Sequence, residues 1–390
     1  MNKIPVMRPK LPVADQILPY LRYIDVGRTY SNGGPLVAEL ETRITRLLRS
    51  PAGGIVCTGS GTAALVCAIL ASSGRARAAR PLAIVPGYTF IATASAVEQC
   101  GYRPYLVDVD EMSWMLDPER LIAHPLLDHV GVIVPVASFG KPPQQEAWRR
   151  FARRTGIPIV IDAAASFEAC VASPEQAIGD IPIALSFHAT KSFATGEGGA
   201  VVTSDIALAD RARQAMNFGF YGARNSQMPS INGKMSEYHA AVGLASLDSL
   251  YERQAAFRAV ADCYRRYFND VTMADNFHGF PEVAGCYALY LCQTSAETTA
   301  VHTALERFGV DFRLWYGSGL HNHAYYKDVE RDELPVTEDL ARRLVGVPVA
   351  CDLSASDVSR VVAAIADGVR RDKIMPSIVN SKNNAIVGYA

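Results

Sequence analysis

Short apolar runs, many rich in β-branched residues, recur through the first two hundred residues, with helix-length segments between most of them. They are Gly54-Ile55-Val56-Cys57, Leu82-Ala83-Ile84-Val85, Tyr105-Leu106-Val107-Asp108, Val132-Ile133-Val134-Pro135, Pro158 to Ile161, Ile183-Ala184-Leu185-Ser186 and Ala200-Val201-Val202-Thr203. Nearly continuous apolar character, in place of strict alternation, is the pattern of strands covered on both faces. Gly61 to Ala71 and Thr89 to Glu98 have the length and patterning of the covering helices. Together they predict an α/β, doubly wound large domain with a mainly parallel seven-stranded sheet. After about residue 235 the texture changes to one long helical stretch, Ser236 to Phe268, and then to short strands and helices that end in a well-patterned helix over Asp357 to Arg370. The expected division is a large domain over 1–250 and a smaller C-terminal α/β domain over 251–390.

Composition narrows the function classes. The chain has 390 residues, and its net charge of −1 comes from 38 basic and 39 acidic side chains spread along it, which leaves no footprint for nucleic acid or an anionic membrane. The start, Met1-Asn2-Lys3-Ile4-Pro5, lacks an apolar signal core, and no apolar run approaches a bilayer span, so the expected location is the cytoplasm. Eight cysteines, none in a C-x-x-C pair, read as reduced thiols and not as zinc ligands or a disulfide framework.

Chemistry enters with Lys191. It lies in Ser186-Phe187-His188-Ala189-Thr190-Lys191, just ahead of Gly196-Glu197-Gly198-Gly199, with Asp162 ending an apolar strand some thirty residues upstream. A lysine able to form a Schiff base, together with a carboxylate able to hold a pyridine nitrogen protonated, reads as a pyridoxal phosphate site. Asp162 would be costly to bury without a cation, and a pyridinium N–H supplies one. Thr58-Gly59-Ser60-Gly61-Thr62 follows the first strand and opens a helix, so its free amides suit a phosphate; it has neither the G-K-[ST] ending of a nucleotide loop nor the dinucleotide spacing. Phe90 is placed either to stack on a cofactor ring or to serve as a core aromatic. Ser186 is either a phosphate ligand or a hydroxyl bonded to local backbone. His188 either touches cofactor or substrate or packs as a neutral ring. No metal site is expected.

In these pieces, and in Ser31-Asn32-Gly33-Gly34-Pro35, Leu40-Glu41, Thr89 to Ala94, Val107 to Asp110, Asp162-Ala163-Ala164 and Asn232-Gly233-Lys234-Met235-Ser236-Glu237, the chain resembles the DegT/DnrJ/EryC1/StrS sugar aminotransferases from roughly Pro5 to Arg370. The resemblance implies PLP-dependent transferase fold type I, with Lys191 as the Schiff-base lysine, Asp162 as the pyridinium partner and Phe90 as the stacking ring. It further implies that Gly61, Thr62 and Ser186 hold the phosphate, joined by Asn232 from the partner subunit of a homodimer with shared active sites.

The implied activity is transfer of the amino group of L-glutamate to a nucleotide-linked keto sugar in deoxyaminosugar (O-antigen or glycan) biosynthesis. His188, three before the lysine, points to C4 of dTDP-4-keto-6-deoxyglucose; the alternative is C3 of a 3-keto isomer. A dehydratase branch of the family carries histidine in place of the lysine, so Lys191 argues against it. A non-catalytic regulator would have lost Lys191, Asp162 or the phosphate loop, and all are present. Two positions depart from the pattern: Ala165 stands where a Gln is common, and Lys234 where an Arg is usual.

Overall fold

The computed structural model describes residues 2–278 and 285–384, with side chains through residue 372. Helices α1 (Ala14–Gly27) and α2 (Pro35–Leu47) precede β1 (Ile55–Thr58), α3 (Gly61–Ser72), β2 (Leu82–Pro86), α4 (Ile91–Gln99) and β3 (Arg103–Val107). There follow α5 (Pro118–Leu121), β4 (Val130–Ile133), α6 (Gln145–Thr155), β5 (Ile161–Asp162), α7 (Phe167–Ala172), α8 (Pro174–Ala177), β6 (Ile183–Ser186), β7 (Gly199–Val202) and α9 (Ile206–Ala215). A hairpin of β8 (Phe220–Tyr221) and β9 (Ala223–Ser226) leads to α10 (Glu237–Asp248) and α11 (Leu250–Asp270).

All seven apolar runs form strands of one sheet. Two ladders, β1-β7-β6-β5 and β3-β2-β4, are joined by parallel bridges from Ile133 to Ile159 and from Val136 to Asp162, giving the order β3-β2-β4-β5-β6-β7-β1. Only β7 runs antiparallel to its neighbours. β5 is shorter than expected because Ile159 pairs through an isolated bridge instead of a continuous ladder. Helix α3 is apolar on every side, and Ala64 through Ala71 are all buried, the signature of a helix enclosed by other elements. In α6, Trp148 and Phe151 face the core while four arginines project from the rest of the helix. The expected single helix over 236–268 is two: α10 ends at Asp248, and α11 starts anew at Leu250.

The chain packs as two compact units. The larger comprises Pro9–Arg253 and Ser318–Thr337; the smaller comprises Met1–Arg8, Gln254–Gly317 and the chain from Glu338 onward. Compared with a division at residue 250, two segments change sides, each for a visible reason. Ile4 and Met7 make parallel bridges to Val310 and Val349 within the smaller unit. In the larger unit the Leu106 amide donates to the Glu330 carbonyl at 3.0 Å and the Asp332 amide to the Leu106 carbonyl at 2.9 Å, laying 330–332 along the outer edge of β3. The smaller unit has an antiparallel sheet of β10 (Phe277–His278), β11 (Leu289–Leu291) and β12 (Leu344–Gly346), with α12 (Ser295–Arg307) and α14 (Ala355–Asn384). Helix α13 (Pro335–Arg343) crosses the boundary in sequence.

Six of the eight cysteines are buried, whereas Cys263 and Cys351 are half-buried. No helix among the described residues is long and apolar enough to cross a membrane.

Candidate active site

The carboxyl ends of β1, β2, β5 and β6 deliver the chemistry-bearing residues to one edge of the sheet, where open α/β sheets bind ligands. Asp162, the last residue of β5, is 5% exposed. Its Oδ2 accepts from the Thr93 hydroxyl at 2.8 Å, and its Oδ1 accepts from the Ala164 amide at 3.1 Å. Thr93 in turn lies 3.0 Å from the Thr89 hydroxyl, so the first turn of α4 is threaded to the carboxylate. Burial pushes the Asp162 carboxyl above its ordinary range; the Thr93 and Ala164 hydrogen bonds and the charge of Lys191 pull the other way. Asp162 thus feels the charge of a residue twenty-nine positions further along the sequence.

Lys191 sits on a loop pinned at several points. The loop is closed by pairing of His188 with Gly196, and the Lys191 amide donates to the His188 carbonyl at 2.8 Å. Phe187 and Phe193 on either side of it are buried against each other (centroids 4.9 Å apart), and Phe193 stacks on Phe167 at 4.5 Å. The Arg253 guanidinium donates to the Ser192 carbonyl at 3.0 Å, and the Ser246 hydroxyl donates to Ala194 at 2.8 Å. Such packing fixes the backbone from which the Lys191 side chain extends.

The Thr58–Thr62 turn opens α3 as the sequence suggests. Ser60 caps α3 by accepting from the Ala63 amide at 3.1 Å, which leaves the Gly61 and Thr62 amides at the open end of the helix without intrahelical acceptors. A Cβ at Gly61 would come within 2.7 Å of the Ser186 Cβ, so glycine is needed for Ser186 to approach these amides. Ser186 itself is buried at the end of β6, and its Oγ accepts from the His188 amide at 3.3 Å. Anion-binding amides, a hydroxyl and a buried carboxylate within reach of a lysine's charge form a set that fits the phosphate and pyridine nitrogen of pyridoxal phosphate.

The remaining residues fall around this centre. Phe90 is 59% exposed, immediately before α4, and is not a core aromatic. His188 is exposed as well, with Nδ1 2.8 Å from the Thr190 hydroxyl and Nε2 3.7 Å from a Glu197 oxygen, so it does not pack beneath the strand. Asn232 is exposed on a segment that pairs with the phosphate loop of its own chain, through a Thr58–Lys234 bridge and a 2.7 Å bond from the Gly59 amide to the Gly233 carbonyl. Its side chain accepts from Lys234 Nζ at 2.7 Å, and that ammonium also lies 4.3 Å from the centre of the Phe218 ring.

Thr93, Ser246, Arg253 and the phenylalanine cluster were not singled out from the sequence. The Thr89 and Thr93 spacing, four residues apart at the start of a helix, was the one local signal available. Glu237, in the Asn232–Glu237 stretch, proves to be a buried clamp that accepts from the Leu36 and Val37 amides at 2.8 and 3.0 Å at the start of α2.

The model of the DegT/DnrJ/EryC1/StrS aminotransferase family matches residues 13–366. Protein Rv3402c of Mycobacterium tuberculosis is 34% identical over 377 residues, covering 94% of this chain and 90% of that protein. A dTDP-4-amino-4,6-dideoxy-D-glucose transaminase of Shigella dysenteriae is 32% identical over 271 residues, 68% of this chain and 71% of the relative. The crystal structure of DesI in the presence of its TDP-sugar product superposes with a TM-score of 0.83 at 28% identity, covering 97% of this chain and 96% of that one.

Proposed function

The chain belongs to the DegT/DnrJ/EryC1/StrS aminotransferase family, as a pyridoxal phosphate-dependent aminotransferase of fold type I, and on that premise we propose that it moves the amino group of L-glutamate to C4 of dTDP-4-keto-6-deoxyglucose. The observation that carries the choice of sugar is the 32% identical relative named as a dTDP-4-amino-4,6-dideoxy-D-glucose transaminase.

When bound, pyridoxal phosphate supplies an electron-accepting ring that stabilises negative charge on the carbon bearing the amine. The amides of Gly61 and Thr62 and the hydroxyl of Ser186 would hold its phosphate. Asp162, kept in place by Thr93 and the Ala164 amide, would accept the hydrogen bond of the ring nitrogen and hold a proton there. Lys191 Nζ takes the proton from the carbon bearing the amine and returns one on the other side of the transfer, the work of a general base that then acts as an acid. Phe90 would cover the ring, and exposed His188 would meet the hexose. Asn232 is assigned to the partner subunit's site, its exposure leaving it available to a second copy.

Incubating the protein with dTDP-4-keto-6-deoxyglucose and glutamate, then locating the new nitrogen by NMR, tests the reading. Amine at C4 is expected; no turnover on this compound together with amination of its 3-keto isomer would replace C4 by C3. Mixing Asn232→Ala with Lys191→Ala protein tests the shared site: one site of a mixed dimer carries neither lesion, so partial activity returns, and a flat result removes Asn232 from the partner's site.

A further inference from the structure

A second polar site lies at the opposite, amino-terminal edge of the large sheet. Ser72 and Ser73 at the end of α3, Arg77 and Arg80 on the following turn, Tyr102 before β3 and Gly131 in β4 line a cleft of about 270 Å³. Its charge is one-sided: no carboxylate lines it, and neither Arg77 nor Arg80 forms an ion pair among the described residues. The two arginines leave one tight turn, in which the Arg80 amide donates to the Arg77 carbonyl at 2.9 Å and the backbones form a bridge. The Ser72 hydroxyl is buried beneath the cleft, with no protein partner among the described residues. The Tyr102 hydroxyl lies 3.4 Å from the Ser73 and Gly74 carbonyls, to which it donates, so its oxygen can still accept.

The cleft depends on a missing side chain. A Cβ at Gly131 would lie 2.5 Å from the Tyr102 ring and 2.8 Å from the Arg80 carbonyl, so glycine lets these two elements meet. The end of α3 opposes an anion with about half a unit of negative charge, against two full positive charges from the arginines, so the balance favours an anion. The volume falls just below the usual range for drug-sized ligands and suits a phosphate with a few carbons, not a nucleotide sugar. Position separates it from catalysis, since it lies at the starts of β2 and β4 and not at the ends that carry Asp162 and Ser186.

We propose that this cleft is a second anion site, binding a phosphate group either free or on a small metabolite through Arg77 and Arg80. The holoenzyme, saturated with pyridoxal phosphate and dTDP so that the catalytic site's phosphate-binding groups are engaged, is titrated with inorganic phosphate and separately with glycerol phosphate, and binding is followed by phosphorus NMR. Saturable binding is expected, weakened about tenfold by Arg77→Gln and abolished in Arg77→Gln/Arg80→Gln, with amination turnover unchanged in both. Tighter binding of glycerol phosphate identifies a metabolite as the ligand, and equal binding identifies free phosphate. Absence of saturable binding to the wild type, or binding that survives loss of both arginines, overturns the proposal.

Discussion

Two carboxylates removed from solvent in the same unit are treated in opposite ways. Glu41, on α2, is bound to the Arg213 guanidinium at 3.1 Å and accepts from the Cys57 amide at 2.8 Å, so a cation of its own chain tethers α2 to α9 and to the first strand. Asp162 receives direct hydrogen bonds from a hydroxyl and an amide, both neutral donors, and feels Lys191 through space. Burial is the largest influence on both carboxyls and raises both above their ordinary range. The structural carboxylate is thus ion-paired within the fold, whereas Asp162 is held by neutral donors, with the charge of Lys191 acting on it without a direct ion pair. Sites of that kind cost stability and are kept for function.

The largest test of this contrast is Lys191→Ala. Loss of the proposed proton transfer should lower amination by at least about 10²–10⁴-fold; turnover near wild type would remove Lys191 from the chemistry.

Asp162→Asn should lower the rate by about 10³-fold, or roughly 4 kcal/mol of transition-state stabilisation. Its stability effect runs the other way. A carboxyl whose folded pKa is raised adds stability at low pH and loses it as pH rises through that pKa. The cofactor-free Asn variant should therefore melt at or above the wild type at pH 8, with the advantage shrinking as the pH falls. A variant less stable at pH 8 but equal in acid would show that the ionised Asp162 is well paired and break the contrast.

Glu41→Ala should do the reverse, leaving the rate per folded molecule unchanged and lowering stability by about 1–3 kcal/mol, less than for a fully buried pair because Arg213 is partly open to water. Denaturant unfolding measures it, and a shift below about 0.5 kcal/mol would make the pair an ordinary surface contact. The smallest effect is expected for Gly61→Ala, whose methyl would press on Ser186: cofactor affinity should drop about tenfold, or roughly 1.4 kcal/mol, in an equilibrium titration. Unchanged affinity would show that the phosphate does not sit between Gly61 and Ser186.

The seven strands and the glycine turn that opens α3 were legible because their signals are local: β-branched apolar runs, a serine cap, and glycine where the chain turns from strand into helix. Lys191 and Asp162 were legible as residue types in order, yet nothing in the sequence showed that Thr93 and Ala164 would hold the carboxylate. For Phe90 and His188 only the coordinates removed the packed alternative, since both proved exposed, and exposure depends on which distant segments cover a residue.

By itself, the sequence determined the α/β layering, the order of the strands along the chain, a carboxylate at a strand end and a lysine on the loop that follows another strand. Periodicity and turn chemistry act over a few residues and are written into neighbouring positions. Tertiary structure decided the rest: the break between α10 and α11, the return of 318–337 to the larger unit, the phenylalanine clamp beside Lys191, and the guanidinium given to Glu41 while Asp162 is held by neutral donors. Each of these depends on contacts between residues far apart in the chain, formed through burial and hydrogen-bond satisfaction that no local pattern encodes.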